Sequence, residues 1–360
     1  MKFLLIAFLL FLANLTLAAP HRPGRNESSL PDNLPFPSPG QVREIELRAR
    51  GTLPNTPSPN NISRQGIVNL QWIAFNENFE VAFFNSLLHN VTNNVTGYEI
   101  SSDDDEGDKD EDRDMVIRSL TAILAQEELH ELSANMALQN FNVSPILPCK
   151  YHFPVSDFDS AIVLAANFTD LVLGTLQDVA ERFAVGGNFN LTRIIASVVG
   201  NEGEQEGWFR VLQDKIPSEP PFLTISDLNF AFSAILNAFV VPGSCPNIHE
   251  IPLQRFHPLA ILTPPEDRTQ IIRVAFRSGK HMEQRLWMTY INQQNLPIVE
   301  SMNIISSENR TVVAEILFPY DQFLMNGLTI AAVTNSSGPF RNANDVARAT
   351  VAGPGLIIVN

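Results

Sequence analysis

Carboxylates, an imidazole and amides interrupt otherwise apolar helical stripes at a similar depth in four segments of the chain. At heptad spacing the first stripe reads Ile73, Glu77, Glu80, Phe84, Leu87, Val91, and the second Val116, Leu120, Ile123, Glu127, His130, Ala134, Ala137, Phe141. The third reads Val163, Ala166, Asp170, Leu173, Gln177, Ala180, and the fourth Leu191, Ile195, Val198, Glu202, Gln205, Phe209, Leu212. Burying one unpaired carboxylate costs several kcal/mol, and several together repel one another. A bound cation makes such a cluster tolerable; the alternative is a polar network of protonated acids and hydrogen bonds. Glu127 and His130 stand three apart, so both project from one helix face toward one place. That is the spacing of carboxylate-and-imidazole metal sites in helix bundles.

Four helical segments must carry these residues. The apolar period predicts helices over 65–93, 115–141, 157–183 with Ser156 as N-cap, and 191–213. A shorter helix capped by Ser226 runs to about Val240. Residues 20–64 are rich in Pro, Ser and Asn with no apolar period, and read as a flexible leader. From about Leu253 the pattern turns to short β-branched and aromatic runs: Ile271–Phe276, Arg285–Ile291, Thr311–Phe318, Leu328–Val333 and Leu356–Val359. Turn residues such as Ser278-Gly279 and Asn326-Gly327 separate them. The expected organisation is α+β and multidomain: a helical bundle over 65–250, with an acidic loop at 101–114, then a β-sandwich-like domain over 251–360.

The 360 residues carry a net charge of −15, which argues against nucleic acid as a partner, because phosphate binding needs a basic face. Between Asp103 and Asp114, nine carboxylates stand against Lys109 and Arg113, so this run holds seven of the fifteen net negative charges. A calcium-loop register with Gly107 sixth would end on Arg113, where a bidentate Glu belongs, so a solvated loop is the expected reading. Residues 1–19 read as a secretory signal, with Lys2, an apolar core from Phe3 to Leu12, and a small-residue cleavage site at Thr16-Leu17-Ala18 or Leu17-Ala18-Ala19. No later stretch reads as a membrane span. Glycosylation sequons begin at Asn26, Asn61, Asn90, Asn94, Asn167, Asn190, Asn309 and Asn335; Pro145 disfavours the one at Asn142. In an oxidising compartment Cys149 and Cys245 most simply form a disulfide, although Cys149-x-x-His152 and Cys245-x-x-x-His249 also have zinc-ligand spacing. Trp72, Phe75, Phe79, Phe83 and Phe84 read as core. There is no nucleophile elbow, dinucleotide turn or phosphate loop.

The block Glu127-Glu128-Leu129-His130-Glu131-Leu132, followed by Phe141-Asn142-Val143-Ser144-Pro145, Cys149 and Phe153-Pro154-Val155-Ser156-Asp157-Phe158, resembles the fungal secreted ferritin-like proteins. Leu173-Gly174-Thr175-Leu176-Gln177-Asp178, Gly203-Glu204-Gln205 and the closing Ala352-Gly353-Pro354 extend the resemblance. These are also called late sexual development or stress-response proteins, and are similar to plant desiccation-related proteins. The resemblance implies a ferritin-like four-helix bundle with iron or manganese, as one or two ions, at Glu80, Glu127, His130, Asp170, Glu202 and Gln205. Glu80 is preferred over Glu77 because the family's acid falls just before an aromatic pair, here Phe83-Phe84. The second Glu-x-x-His of di-iron relatives falls on Glu202-x-x-Gln205, and an amide is a far weaker ligand than imidazole.

The functional expectation is therefore a secreted, glycosylated ferritin-like protein of development or stress response. Its rival is a non-catalytic extracellular or cell-wall interaction protein whose bundle has lost its metal. Cell-wall or matrix components are the partners considered, with no membrane span.

Overall fold

The computed structural model describes residues 30–100, 109–277 and 285–360. The signal segment, the Asn26 sequon, the part of the acidic run at 103–108 and the Ser278-Gly279 turn lie outside the described residues. The chain is of the mixed α+β class and divides into two compact units. One holds 29–217 and 235–254, the other 218–234 and 255–360, and the division falls within one helix, Leu228–Ala238 (α6).

In the first unit, Pro39–Ala49 (α1) precedes four long helices: Arg64–Thr92 (α2), Lys109–Asn140 (α3), Phe158–Val185 (α4) and Phe189–Val211 (α5). α2 runs along α3, α4 along α5, α2 also packs on α4, and α1 packs on α3. Local signals explain the ends. The Ser63 hydroxyl accepts from Gly66 N at the start of α2, and the Asp157 carboxylate accepts from Ser160 N at 2.8 Å at the start of α4. Asp157, not Ser156, is thus the N-cap, because its carboxylate reaches the third backbone amide of the helix. At the far end of α2, Arg113 of α3 donates to the carbonyls of Val91 and Thr92, the last two residues of the helix.

α2 is buried nearly all round, polar residues included: Asn69, Gln71, Asn76, Glu77, Asn78 and Glu80 are all within the fold. Its Phe79 and Phe83 meet Phe168 of α4 at 5.1 and 5.0 Å between ring centroids, and Phe84 stacks on Phe209 of α5. The aromatics therefore belong to the core. α4 is, among the described residues, the one helix long and apolar enough to cross a membrane, which corrects the expectation that no such segment follows the leader. Most of it is buried inside the unit, as a core helix is.

The Cys149–Cys245 disulfide is formed, so neither thiolate is free for zinc. Beside it the chain makes a short antiparallel contact: His152 N donates to Phe239 O at 2.8 Å and Val241 N to Lys150 O at 2.9 Å.

The second unit contains two four-stranded antiparallel sheets. Leu259–Ile261 (β1), Gln270–Arg277 (β2), Thr311–Phe318 (β6) and Asn303–Glu308 (β5) form one, in the order β1-β2-β6-β5. Ile298–Ser301 (β4), Trp287–Asn292 (β3), Gly327–Thr334 (β7) and Thr350–Val359 (β8) form the other, in the order β4-β3-β7-β8. β6 alternates strictly, with Val312, Ala314, Ile316 and Phe318 turned inward. These residues share one apolar cluster with Ile272, Val274 and Phe276 of β2 and with Met288, Tyr290, Ala331 and Val333 of the opposite sheet. Residues of both sheets thus share one core, and Tyr290 Oη donates to Leu317 O at 3.1 Å. Two short helices, Tyr320–Phe323 (α7) and Ala343–Ala349 (α8), complete the unit.

Three further features differ from the sequence reading. α1 lies inside the stretch read as a flexible leader, and it opens with a capping box between Ser38 and Gln41. α3 begins at Lys109, so the second half of the acidic run is helical; Asp112 and Asp114 sit where the helix dipole favours negative charge. β1, β4 and β5 have no counterpart among the expected strands.

Candidate metal centre

Glu77 of α2, Glu127 and His130 of α3, and Glu202 of α5 each offer a ligand atom, and the four atoms all lie within 4.8 Å of one another. The three carboxylates are buried, with Glu77 and Glu127 at 0% and Glu202 at 2% exposure. His130 is partly buried, with its Nδ1 2.8 Å from Glu127 Oε2 and 3.8 Å from Glu77 Oε2. The spacing explains why two residues come from α3: three apart, both look toward α2 and α5 at one level.

No donor other than a neighbouring carboxyl reaches either oxygen of Glu77 or of Glu202. A buried carboxylate with no donor is costly, and here two of them point into a space already holding a third. Burial, then the charges of Glu80, Glu127 and Glu202, hold the Glu77 carboxyl well above the usual carboxylate range. Burial, then Glu80 and Glu127, do the same to Glu202. In the absence of a cation, protons must neutralise this cluster; a cation would replace them. Three oxygens and one imidazole nitrogen form a donor set suited to iron or manganese, and lacking the thiolates that favour copper(I) or structural zinc. The residues present fit such an ion.

The structure brings together Glu127, His130 and Glu202 from the sequence-derived set, and alters the rest. Glu77, not Glu80, completes the convergent four. Glu80 is buried beside them, its carboxyl raised by burial and by Glu127, but outside the group. Both acids were visible at helical spacing; the resemblance preferred Glu80, while Glu77 offers the atom in the four-membered group. Asp170 is buried on α4 and its carboxylate is not among the four; Asp is one methylene shorter than Glu. Gln205 is present in a different capacity: its Nε2 donates to Glu127 Oε1 at 2.6 Å and to Gln126 Oε1 at 3.1 Å.

A second buried acidic group occupies the neighbouring face of α3 and was missed. Glu128 Oε2 pairs with Arg48 Nη2 of α1 at 3.1 Å, and Arg48 also pairs with Asp32. Glu131 accepts from Asn135, which clamps Ile146 through its carbonyl at 3.2 Å and its amide at 2.8 Å. Asn78 of α2 donates to the same Ile146 carbonyl at 3.2 Å. Burial pushes Glu128 up to about 8 against the pull of Arg48, and Glu131 up to about 8 against the hydrogen bond from Asn135. The only sequence signal was the doubled acid pattern in Glu127-Glu128-x-His130-Glu131.

Of the described sequons, Asn61, Asn94, Asn142, Asn190, Asn309 and Asn335 are exposed and Asn90 is half-buried. Asn167 sits in mid-α4, and Thr169, whose hydroxyl its sequon requires, is buried.

Compared with known proteins, the chain matches no protein-family model and no curated protein.

Proposed function

We propose that α2 to α5 form a ferritin-like four-helix bundle and that Glu77, Glu127, His130 and Glu202 hold iron or manganese in its core. On this reading the protein is a secreted, glycosylated member of the fungal ferritin-like family, acting in development or stress response. The observation that carries the metal reading is the convergence of three buried carboxylates on one imidazole nitrogen, with no donor except a neighbouring carboxyl at either oxygen of Glu77 or of Glu202.

The chain's own residues have distinct parts. Glu77, Glu127 and Glu202 supply the negative charge, His130 supplies the nitrogen through Nδ1, and Gln205 fixes the carboxylate of Glu127. Phe79, Phe83 and Phe84, along α2 from the acids, help keep this core dry, which strengthens every charge interaction inside it. A redox-active ion held here would supply electron exchange with oxygen or peroxide.

Metal analysis of the purified full chain tests the reading. Iron or manganese should co-purify with or reconstitute into the wild type and be lost from Glu77→Ala, Glu127→Ala and His130→Ala. A folded wild type that refuses both metals overturns it and favours the metal-free interaction protein.

A further inference from the structure

We infer that the centre accepts one ion rather than two, and that Gln205 is the positioning residue that closes the second position. The inference rests on the metal reading above and concerns its stoichiometry.

Charge alone would permit two divalent ions, since Glu77, Glu80, Glu127 and Glu202 are all buried at this level. Two ions about 3.5–4 Å apart in a carboxylate helix bundle, however, are typically bridged by a carboxylate that gives one oxygen to each. Glu127 is the central acid here: its charge acts on Glu77, on Glu80 and on Glu202. Its two oxygens are already divided. Oε2 faces His130 Nδ1 at 2.8 Å, while Oε1 accepts from Gln205 Nε2 at 2.6 Å.

The orientation of the Gln205 amide follows from its surroundings. Nε2 carries two hydrogens and has two acceptors, Glu127 Oε1 and Gln126 Oε1. The flipped amide would set its oxygen against both of those oxygens. The nitrogen therefore faces Glu127, and an amide nitrogen has no lone pair to give a metal. Its hydrogen also places positive charge where a second cation would have to sit. Gln205 is itself 5% exposed, so water does not substitute for it freely. What remains is a nest of four ligand atoms around one point, with Glu80 outside it.

Titrating manganese(II) into the metal-free full chain, read by metal analysis and electron paramagnetic resonance, tests this. We expect one ion per chain with the spectrum of an isolated ion. Gln205→Leu should keep one ion but weaken its affinity about 10- to 100-fold, the usual cost of losing a group that orients a ligand. Gln205→His, which offers a ligand nitrogen in place of the amide, should admit a second ion with a spin-coupled spectrum. Two coupled ions in the wild type overturn the inference while leaving the metal reading intact; a wild type that binds no ion at all overturns that reading instead. A folded Gln205→His chain that still stops at one ion overturns the role given to Gln205.

Discussion

Two groups of buried acids lie one helical step apart on α3, and they are built to opposite rules. On one side, one oxygen of Glu128 has Arg48 and one oxygen of Glu131 has Asn135, the other oxygen of each having no partner, and each donor also ties down another part of the chain, Asp32 in one case and Ile146 in the other. On the other side, Glu127 meets the oxygens of Glu77 and Glu202, which have no donor except a neighbouring carboxyl. Both groups are equally hidden from water, so burial alone does not mark a functional acid. The distinguishing feature is what the carboxylates point at: a fixed donor marks a fastening, and convergent orphan oxygens mark a place for a ligand.

The largest effect that could break this contrast is in pH dependence. Glu128 and Glu131 have folded values near 8 against an ordinary 4.5. Between those values the folded protein holds protons that the unfolded chain releases, so stability is full below about 4.5 and is lost as pH rises through about 8. The groups around them are Arg48, Asp32 and Asn135, with Tyr151 near Glu131. A tenfold difference in proton affinity between the folded and unfolded chain is worth about 1.4 kcal/mol, so denaturant melts at pH 5 and pH 8 should differ by several kcal/mol. Saturating manganese should reduce the part due to Glu77, Glu80 and Glu202 and leave the part due to Glu128 and Glu131. Melts that are flat over this range would remove the distinction.

Next in size is Arg48→Met, which removes the cation paired with Glu128; urea unfolding at pH 9, above the folded value of about 8, should show a loss of about 2–3 kcal/mol, with metal binding intact. The smallest effect has the opposite sign. Glu202→Met replaces a buried, donorless carboxyl with an apolar side chain of similar volume, so the metal-free protein should gain about 1 kcal/mol while losing the metal. If both substitutions destabilise equally, the two groups are alike and the contrast fails.

How much of this was legible depends on what each residue faces. β6 could be read to its ends because every second residue enters the core. β5 could not, because all six of its residues are exposed and no alternation exists to read. α1 escaped for a similar reason: only Ile45 and Ala49 are buried, and the Pro and Gly at its start resemble loop composition. In the centre, heptad spacing found the level of the acids but left Glu77 and Glu80 equivalent, since both occupy the inner face of α2. Which one converges depends on the packing of α2 against α3, a tertiary property. The role of Gln205 was likewise hidden, because its partners on α3 are nearly eighty residues away in sequence.

The disulfide closes a covalent ring by joining Cys149 to Cys245, 96 positions further along the chain. Glu202 lies inside that ring, while Glu77, Glu127 and His130 lie on the chain before it. A protease that cut the exposed Gly186-Gly187 turn between α4 and α5 would therefore release no fragment. The nicked protein would run as one species until a reductant separated it into two, and until then Glu202 would remain tethered within reach of its three partners. In the extracellular setting proposed above, among digestive enzymes, that ring is a form of durability independent of how tightly the helices pack.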